Sequence, residues 1–484
     1  MKIVFATPEI VPYSKTGGLA DVSGALPVEL AALGHEVLVV TPLYKSINRT
    51  QFAVEPTGKT ALVPVAGRME PAELYISSWS GLPAGMKVLL VNNTRYFDRK
   101  SLYGDGGVDY PDNGERFAFF SRAVLESIKI HGFHPEIIHG HDWQTGPIFP
   151  HLKRTYSIDP FFQSTKGIIT IHNLGYQGLF NPTFMETLML PADMLNLHEL
   201  EFWGKVNYLK AGLVFSDAIT TVSRRYAEEI RTELYGCGLE GLLEERKARL
   251  FGILNGVDYG IWSPETDPLI ANRFDLEHLE GKAACKAAIQ KEMGLNASDA
   301  PLIGLISRLA DQKGFDLLAG VSEKVLDMGC QFAILGTGEK KYHEFFTDLK
   351  NRHPGNVGLL LGFDNALAHK IEAGSDMFLM PSRYEPCGLN QMYSLKYGTI
   401  PIVRAVGGLE DTIEDFGSNS PRENGFKFHE YKPEALFTAI QRAVSAFENK
   451  NTWTRLMKTA MSCDYSWKNS ARNYSTLYER ILRS

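Results

Sequence analysis

The sequence predicts an α/β protein with two doubly wound domains, and three observations support this. An apolar, strand-like run at Lys2–Ala6 is followed by a glycine-bearing loop, a helical pattern over Leu19–Leu33 and a second strand at Glu36–Thr41. The same order of elements returns from Leu302 onward. At 484 residues the chain also exceeds the roughly 250–300 residues at which one hydrophobic core stops growing. Two β–loop–α–β units in such a chain indicate two Rossmann-like domains.

The second unit runs from a strand at Leu302–Ser307 through the loop Arg308–Gly314 to a helix predicted over Phe315–Met328 and a strand at Gln331–Leu335. We place the hinge between the domains near the segment Asn255–Asp258. In open α/β sheets, ligands bind beyond the carboxyl ends of the strands. The loops that follow strands are therefore where we look for chemistry.

Composition narrows the class of protein. Hydrophobic residues make up 44% and charged residues 22% of the chain, which is typical of an ordered globular protein, and the net charge of −6 gives no reason to expect nucleic acid or an anionic membrane as a partner. No run of about 18 apolar residues is present, and Pro8 and Glu9 break the first apolar run too early for a signal peptide. Five scattered cysteines without a CxxC pair predict a reduced, cytoplasmic protein.

The glycine loop after the first strand is a candidate phosphate site. Gly17 and Gly18 let a ligand approach the backbone, the following helix offers free N–H groups, and Lys15 adds a positive charge. The alternative is a tight turn with a solvated lysine.

The loop after Leu302–Ser307 carries two further cations, Arg308 and Lys313. Together with the start of the next helix they would neutralise a diphosphate leaving group. Ordinary surface charge is the alternative. No Asp-x-Asp motif occurs, and Lys15 with these two cations would do the electrostatic work of a metal, so we expect neither a metal nor a cofactor.

Two polar segments follow predicted strands in the first half. His139, His141 and Asp142 come after the strand Glu136–Ile138, and His172-Asn173 follows Ile168–Ile171. A metal site at the two histidines lacks identifiable further ligands. Imidazole and carboxylate groups suit a hydroxyl-rich substrate better, although a lone histidine is more often structural.

A rigid turn carries a carboxylate in the second half. Glu385 follows the strand Met377–Met380, and Pro386 and Gly388 come shortly after it and keep the chain out of a regular element. A carboxylate held there would bind sugar hydroxyls or balance positive charge at an anomeric carbon. Cys387 is the alternative nucleophile, but a buried structural thiol is commoner and no histidine lies near it in sequence.

Taken together, these segments resemble the bacterial glycogen synthases and plant starch synthases, a retaining glycosyltransferase family of GT-B architecture. The matching stretches occur in order over nearly the whole chain. They are KTGGLADV (Lys15–Val22), HDWQTG, TIHNLGYQG (Thr170–Gly178), NGVD with WSPETD, SRLADQKG (Ser307–Gly314), PSRYEPCGL (Pro381–Leu389), QMYSLKYGTIP (Gln391–Pro401) and GGLEDT (Gly407–Thr412).

The resemblance implies roles for the residues in these stretches. The donor diphosphate would be contacted by Lys15, Arg308, Lys313 and the amides of Leu389 and Asn390. The glucose would face His172, Asn173 and Asn255, with Glu385 and Gly388 at its hydroxyls and anomeric region. Asp142 would lie near the acceptor. The predicted substrate-binding set is completed by Gly17, Gly18, Asp21 and Cys387. The catalytic set is Glu385, His172, Arg308 and Lys313.

Two positions depart from relatives of this kind. Asn390 stands where many carry Thr, with little expected consequence if the backbone amide is the contact. Tyr393 stands where the wider retaining GT-B transferases often have a second Glu, which leaves Glu385 as the sole carboxylate of that pair.

The resemblance also implies two Rossmann-like domains facing across a deep cleft. Residues 1–250 with the C-terminal helix 466–484, which crosses back, would form the acceptor side. Residues 251–465 would form the nucleotide-sugar side. The amphipathic spacing of Trp467, Ala471, Tyr474 and Tyr478 gives that helix a face to bury.

The implied reaction is retaining transfer of α-glucosyl from ADP-glucose to the 4-hydroxyl end of an α-1,4-glucan such as glycogen. Phe363 would stack on the adenine, unless it belongs to the core. The alternatives are a UDP-glucose-using enzyme, a sucrose- or trehalose-type synthase of the same fold, a phosphorylase with pyridoxal phosphate, and a non-catalytic glucan-binding protein.

Overall fold

The computed structural model describes all residues from Met1 to Ser484, and the chain divides into two compact units. The first comprises residues 1–222, 227–253 and 467–484, and the second comprises 223–226 and 254–466. The predicted division at residue 250 was therefore wrong for Ser223–Tyr226. This segment groups with the second unit because the Ser223 hydroxyl donates to the Pro386 carbonyl at 2.6 Å and the Arg225 amide donates to Asp411 at 3.0 Å.

A nine-stranded sheet forms the centre of the first unit. Its strands pair in parallel except for an antiparallel hairpin added at one edge. In spatial order they are Leu250–Gly252, Ala218–Thr221, Lys166–Ile171, Ile137–His141, Lys2–Ala6, Glu36–Pro42, Met86–Asn92, Arg68–Ser77 and Val54–Val65. Two small antiparallel sheets are also present. One contains, in spatial order, Leu179–Phe180, Lys205–Asn207 and Glu201–Phe202. The other pairs Gly104–Asp105 with Val108–Asp109.

The parallel strands of this sheet reverse their order once. From Lys2–Ala6 the chain proceeds outward through Glu36–Pro42 to Met86–Asn92, and then outward on the other side from Ile137–His141. Such a reversal is the topological switch point of a Rossmann-like sheet, beyond which ligands bind. In the first unit it lies between Lys2–Ala6 and Ile137–His141, which pair side by side.

Helices surround this sheet. The α-helices of the first unit are Gly18–Ala32, Thr94–Phe97, Asn113–His131, Ile148–Pro150, Phe184–Leu188, Tyr208–Phe215, Glu240–Glu245 and Trp467–Leu482, and Arg224–Glu229 spans the division between the units. Short 3₁₀ helices cover Trp143–Thr145, Ala192–Met194 and Lys247–Arg249, and a π-helix covers His151–Thr155.

The C-terminal helix Trp467–Leu482 packs into the first unit. The Tyr478 hydroxyl lies 2.7 Å from His139 Nδ1, and Ser475 Oγ lies 2.9 Å from His35 Nε2. The apolar positions that the sequence spacing singled out are buried, including Tyr474 and Tyr478 at 0% exposure. The face that the spacing predicted is thus covered by residues distant in sequence.

Six parallel strands form the sheet of the second unit. In spatial order they are Val357–Leu361, Gln331–Gly338, Leu302–Leu309, Met377–Met380, Ile400–Arg404 and Phe426–Phe428. Numbered along the chain this order is 3-2-1-4-5-6, the order of the dinucleotide-binding Rossmann sheet. The switch point lies between Leu302–Leu309 and Met377–Met380, which are direct neighbours. The fold class predicted from the sequence is confirmed.

The predicted single helix over Phe315–Met328 was wrong, because it is two helices, Phe315–Ala319 and Ser322–Asp327. At Gly320 a Cβ would lie 3.0 Å from the Pro433 ring, and the amides of Gly320 and Val321 bond to carbonyls three residues back. The remaining α-helices of the unit are Glu280–Glu292, Lys340–Arg352, Asn365–Gly374, Asn390–Lys396, Gly407–Thr412, Pro433–Glu448 and Lys450–Met461, with a 3₁₀ helix at Asp311–Lys313. None of the helices in either unit is long and apolar enough to span a bilayer.

Candidate active site

Glu9 organises the glycine loop of the first unit. It follows the switch-point strand Lys2–Ala6, and its Oε2 accepts from the backbone N–H of Thr16 at 2.6 Å and from the Thr16 hydroxyl at 2.8 Å. Burial raises the pKa of Glu9 in spite of these bonds. The sequence reasoning did not select this residue, although an acid directly after the first strand was a signal that could have found it.

The predicted phosphate lysine is already paired. Lys15 Nζ lies 2.6 Å from Asp21 Oδ1, on the first turn of helix Gly18–Ala32, and the Lys15 side chain is 48% exposed. Burial raises the pKa of Asp21, while the positive charge of Lys15 opposes that rise. Gly17 is the N-cap residue of the helix, and Gly18 begins it. The structure thus brings these four predicted residues together at one helix start.

Asp142 comes directly after the second switch-point strand and holds a strained backbone. Its φ is +56°, in the left-handed region that non-glycine residues rarely adopt. Its Oδ1 accepts from the backbone N–H of His172 at 2.7 Å. Burial raises the pKa of Asp142 to about 7, and the charge of Glu9 adds to the effect, against the bonds from the amides of His172 and Asn173. The predicted residues Asp142, His172 and Asn173 therefore meet beside Glu9.

The three histidines of this region have neighbouring rings, of which His139 and His141 are buried and His172 is partly buried. His139 and His141 lie within the strand Ile137–His141, so the predicted strand end at residue 138 was wrong. His139 pairs with Phe5 on one side and Ile168 on the other, and His141 pairs with Thr170. His139 Nδ1 lies 2.7 Å from the Tyr478 hydroxyl, and His139 Nε2 lies 2.6 Å from the Thr170 hydroxyl. His141 Nδ1 lies 3.0 Å from His172 Nε2. Burial lowers the pKa of His139 and of His172 to about 3 and that of His141 well below its ordinary value.

The histidines differ in what their ring nitrogens contact. Both ring nitrogens of His139 are used inside the protein, which makes it a structural residue. His172 is only partly buried, and its Nε2 lies 3.0 Å from His141 Nδ1. No group of three or more His, Cys, Asp or Glu side chains is arranged to hold a metal ion.

Several buried polar atoms of the first unit have no hydrogen-bond partner. They include the hydroxyls of Tyr44 and Tyr103 and Nη2 of Arg116. Burial raises the pKa of Tyr103, and the neighbouring charges of Glu9 and Asp142 raise it further. Buried polar groups are normally satisfied, so an unpartnered Tyr103 hydroxyl near the charges of Glu9 and Asp142 is an unusual feature of the first unit. Nothing in their sequence spacing indicated them, because they come from three separate segments.

In the second unit, Lys313 and Glu385 form a direct ion pair. Lys313 Nζ lies 2.6 Å from Glu385 Oε2, which also accepts from the Ser382 hydroxyl at 2.9 Å. Glu385 is 5% exposed. The two residues follow the strands on either side of the switch point, as the sequence predicted. Their direct pairing is a finding of the structure.

Arg308 lies at the same edge of the sheet. It belongs to the strand Leu302–Leu309, which extends two residues further than the prediction. Its Nη2 donates to Gln312 Oε1 at 3.1 Å, and its side chain is exposed. The two predicted diphosphate cations thus come from the end of one strand and from the short 3₁₀ helix that follows it.

Two glycines hold the Glu385 turn in place. Gly314 has φ +73°, and a Cβ there would lie 1.9 Å from the Pro381 carbonyl oxygen. Gly407, in the GGLEDT stretch, has φ +46°, and its Cβ would lie 1.9 Å from the Glu385 carbonyl oxygen. Any side chain at either position would displace the turn. The turn is therefore enclosed between two loops that only glycine allows to approach so closely.

The residues after Glu385 differ in burial, backbone conformation and side-chain contacts. Cys387 is buried, and burial raises the pKa of its thiol to about 12, which disfavours a thiolate nucleophile. Gly388 has φ +70°. Leu389 is the N-cap residue of helix Asn390–Lys396, and the Asn390 amide group donates to Glu372 at 3.4 Å. The Asn390 side chain is thus turned toward the protein, which leaves its backbone for the predicted contact.

Two further predicted residues lie elsewhere in the sequence, and the backbone N–H of one of them, Asn255, bonds to the Cys387 sulfur. Asn255 is buried and its Oδ1 has no partner, so it offers an open acceptor. Phe363 is 87% exposed and follows the edge strand Val357–Leu361. The alternative that placed Phe363 in the core was wrong, because its ring is in solvent.

Comparison with known proteins gives one family over the whole chain. The model of the starch synthase catalytic domain matches residues 2–245, and that of the glycosyl transferases group 1 matches residues 288–457. A glycogen synthase of Koribacter versatilis is 49% identical over 99% of this chain and 98% of its own length. The chain belongs to the glycogen synthase and starch synthase family of glycosyltransferases.

Other members of the synthase family agree with this. A glycogen synthase of Syntrophotalea carbinolica is 44% identical over 100% of this chain and 99% of its own. The catalytic domain of starch synthase IV from Arabidopsis thaliana, bound to ADP and acarbose, matches with a TM-score of 0.91 and 33% identity over 100% of this chain and 99% of that one. A sucrose-phosphate synthase from Thermosynechococcus elongatus, at 16% identity and a TM-score of 0.59, shares the fold.

Proposed function

We propose that this synthase-family protein transfers an α-glucosyl group from ADP-glucose to the non-reducing 4-hydroxyl of an α-1,4-glucan, with retention and release of ADP. The observation that carries the proposal is the Lys313–Glu385 pair beside Arg308 at the switch point of the second unit. A leaving diphosphate requires cations, and an anomeric carbon that gains positive charge requires a carboxylate. The two demands are met at neighbouring strand ends.

Arg308 and Lys313 bind the diphosphate and stabilise the charge that develops on it as the bond from C1 breaks. The acceptor O4 forms its bond to C1 from the same face, and its proton passes to the departing phosphate oxygen. Glu385 and the open acceptor of Asn255 hold the glucosyl hydroxyls. The structure of starch synthase IV from Arabidopsis thaliana is bound to ADP and acarbose, which supports an adenine nucleotide and an α-glucan-like ligand here.

The glucan is assigned to the first unit. Asp142, Glu9 and the unpartnered hydroxyl of Tyr103 present acceptors and donors suited to sugar hydroxyls. His172 is neutral at physiological pH because its pKa lies near 3, so it hydrogen-bonds without adding charge. We assign the protein to the cytoplasm, in keeping with five free cysteines.

One incubation tests the proposal. The protein is mixed with glycogen and ADP-[¹⁴C]glucose in the presence of EDTA, and label in polymer and its release by an exo-acting α-1,4-glucanase are measured. Parallel incubations replace the donor with UDP-glucose or the acceptor with fructose 6-phosphate or glucose 6-phosphate. Label in glucan from ADP-glucose supports the proposal. Transfer to a sugar phosphate, or glucan binding without turnover, would refute it.

A further inference from the structure

The side chain of Gln312 bridges the two loops that carry the proposed catalytic groups. Its Oε1 accepts from Arg308 Nη2 at 3.1 Å, and its Nε2 donates to the Tyr384 carbonyl at 3.3 Å. The backbone carbonyl of Gln312 accepts from the Arg383 N–H at 2.8 Å. One residue therefore bonds to the proposed diphosphate cation and to the two residues immediately before Glu385.

The chemistry of a primary amide suits this place. The amide offers an acceptor and a donor at the same time, and here the acceptor faces a guanidinium while the donor faces a carbonyl. A carboxylate would keep the first contact and lose the second, and an aliphatic side chain would lose both. Gln312 is half-buried, so the two bonds are partly shielded from competition by water.

The neighbours of Gln312 strengthen the link. Lys313 joins the same two loops through its ion pair with Glu385, and Gly314 allows the loops to approach within contact of Pro381. Arg308 itself is exposed, and a long exposed guanidinium loses much rotamer freedom when it is held for a ligand. A bond to Gln312 restricts that freedom before the donor binds.

We propose that Gln312 is a positioning residue, which holds the Arg308 guanidinium and the Tyr384–Glu385 turn in one fixed arrangement. The inference rests on the proposed function, since Arg308 and Glu385 are given their roles there. This role requires no contact of Gln312 itself with the donor or the acceptor. Gln312 acts through Arg308 on one side and through the turn on the other.

A double-mutant cycle tests the link to Arg308. The rates of Gln312→Ala, Arg308→Ala and the double variant are compared with wild type, with ADP-glucose and glycogen as substrates. We expect Gln312→Ala to lower kcat about tenfold in the wild-type background, a typical loss for a hydrogen bond to a charged group. In the Arg308→Ala background the same change should cost clearly less, because only the contact with the turn is then left to lose. Equal losses in both backgrounds would overturn the proposal.

Gln312→Glu separates positioning from bulk. The size of the side chain is kept, but a carboxylate pairs with Arg308 and repels the Tyr384 carbonyl. We expect a higher KM for ADP-glucose and weaker binding of ADP by calorimetry, because the new charge competes with the diphosphate for Arg308. Wild-type kcat, KM and ADP affinity in this variant would overturn the proposal. Gln441→Glu, an exposed glutamine of helix Pro433–Glu448, introduces the same charge and should change none of the three.

The controls keep the two proposals distinct. If wild-type protein does not transfer glucose from ADP-glucose, the proposed function fails. If it does and the cycle is additive, the positioning role alone fails. Thermal unfolding of every variant shows whether it is folded, and if Gln312→Ala is not, the cycle is run with Gln312→Glu.

Discussion

Lys313 Nζ lies 2.6 Å from Glu385 Oε2, although 72 residues separate them along the chain. The ammonium and the carboxylate come from loops after two adjacent parallel strands, and Glu385 is nearly inaccessible to solvent. Each therefore sets the charge environment of the other before a donor arrives. Removing one leaves its partner uncompensated in a buried place.

Glu385→Gln should lower kcat for transfer by well over tenfold while the protein stays folded. The amide keeps the size of the side chain but removes the negative charge that pairs with Lys313 and that we assign to the anomeric carbon. The measurements are kcat with ADP-glucose and glycogen and the midpoint of thermal unfolding. Glu265→Gln, which removes an exposed partner of Lys396, is the matched control. If the variant retains more than about a tenth of the wild-type rate, the activation free energy has risen by less than about 1.4 kcal/mol. Glu385 would then not be central to the reaction.

Arg308→Ala and Lys313→Ala should each lower kcat by about 10²–10³-fold, the range known for removal of one donor to a developing oxyanion. The charge on the diphosphate grows as the bond to C1 breaks, so the loss should appear in kcat as well as in KM. Arg422→Ala, at an exposed arginine paired with Glu414, should leave both parameters unchanged. A loss confined to KM would mean that the two cations only bind the donor.

The pH dependence of transfer should contain an acid limb due to Asp142. Burial raises its pKa to about 7, so the carboxylate forms only as the pH rises through that value. We expect kcat/KM for glucan to increase from pH 6 to pH 8. Asp142→Asn should remove this limb, whereas His172, whose pKa lies near 3, contributes none in this range. An unchanged limb in the Asn variant would assign it to another group.

The same group predicts how stability changes with pH. The pKa of Asp142 in the folded protein lies above its ordinary value of 3.8, so the folded state binds the proton more tightly than the unfolded state. Its contribution to the free energy of unfolding is therefore present below about pH 4 and is lost as the pH rises to about 7. Urea unfolding at pH 5 and pH 7.5 should show a smaller difference for Asp142→Asn than for wild type.

The preferred donor should be ADP-glucose, and Phe363→Ala should weaken its use by about 1–3 kcal/mol, the range for a base stacked on an aromatic ring. The ring is 87% exposed, so its loss removes a contact surface and little core packing. The measurement is kcat/KM for ADP-glucose and UDP-glucose in both proteins. Ile158→Ala, at a residue 92% exposed in the first unit, is the control. Equal use of UDP-glucose by wild type would contradict the donor preference, and an unchanged variant would contradict the stacking.

Gly314→Ala should destabilise the second unit by more than about 2 kcal/mol and lower kcat, because the added Cβ meets the Pro381 carbonyl and the backbone is left-handed. Gly241→Ala is the control, since a Cβ there meets nothing within 4 Å and the residue lies in a helix. The midpoint of thermal unfolding measures both. Unchanged stability in Gly314→Ala would show that the two loops separate without cost.

Much of this organisation follows from local sequence. Strands such as Lys2–Ala6 and Met377–Met380 have the predicted bounds, because buried parallel strands are short apolar runs with polar residues at their ends. The rule that ligands bind at carboxyl ends of strands then led to Asp142 and Glu385. Their roles in the reaction remain predictions.

Other features depend on contacts that no local pattern shows. The predicted helix after Gly314 is interrupted near Gly320, where an added Cβ would lie 3.0 Å from the ring of Pro433, far along the chain. The open hydroxyls of Tyr44 and Tyr103 come together only in the folded first unit. Gln312 was part of a recognised stretch, but its bond to Tyr384 becomes visible only when the two loops are placed side by side.

The return of the helix Trp467–Leu482 to the first unit has a consequence for biosynthesis. Ribosomes make this helix after every residue of the second unit. The hydrogen bond between His139 and the Tyr478 hydroxyl can therefore form only when synthesis is nearly complete. A nascent chain that stops before Trp467 carries a complete second unit and an uncovered first one. The first unit, although synthesised first, would therefore complete its folding last and would stay accessible to chaperones and proteases for longer than the second unit.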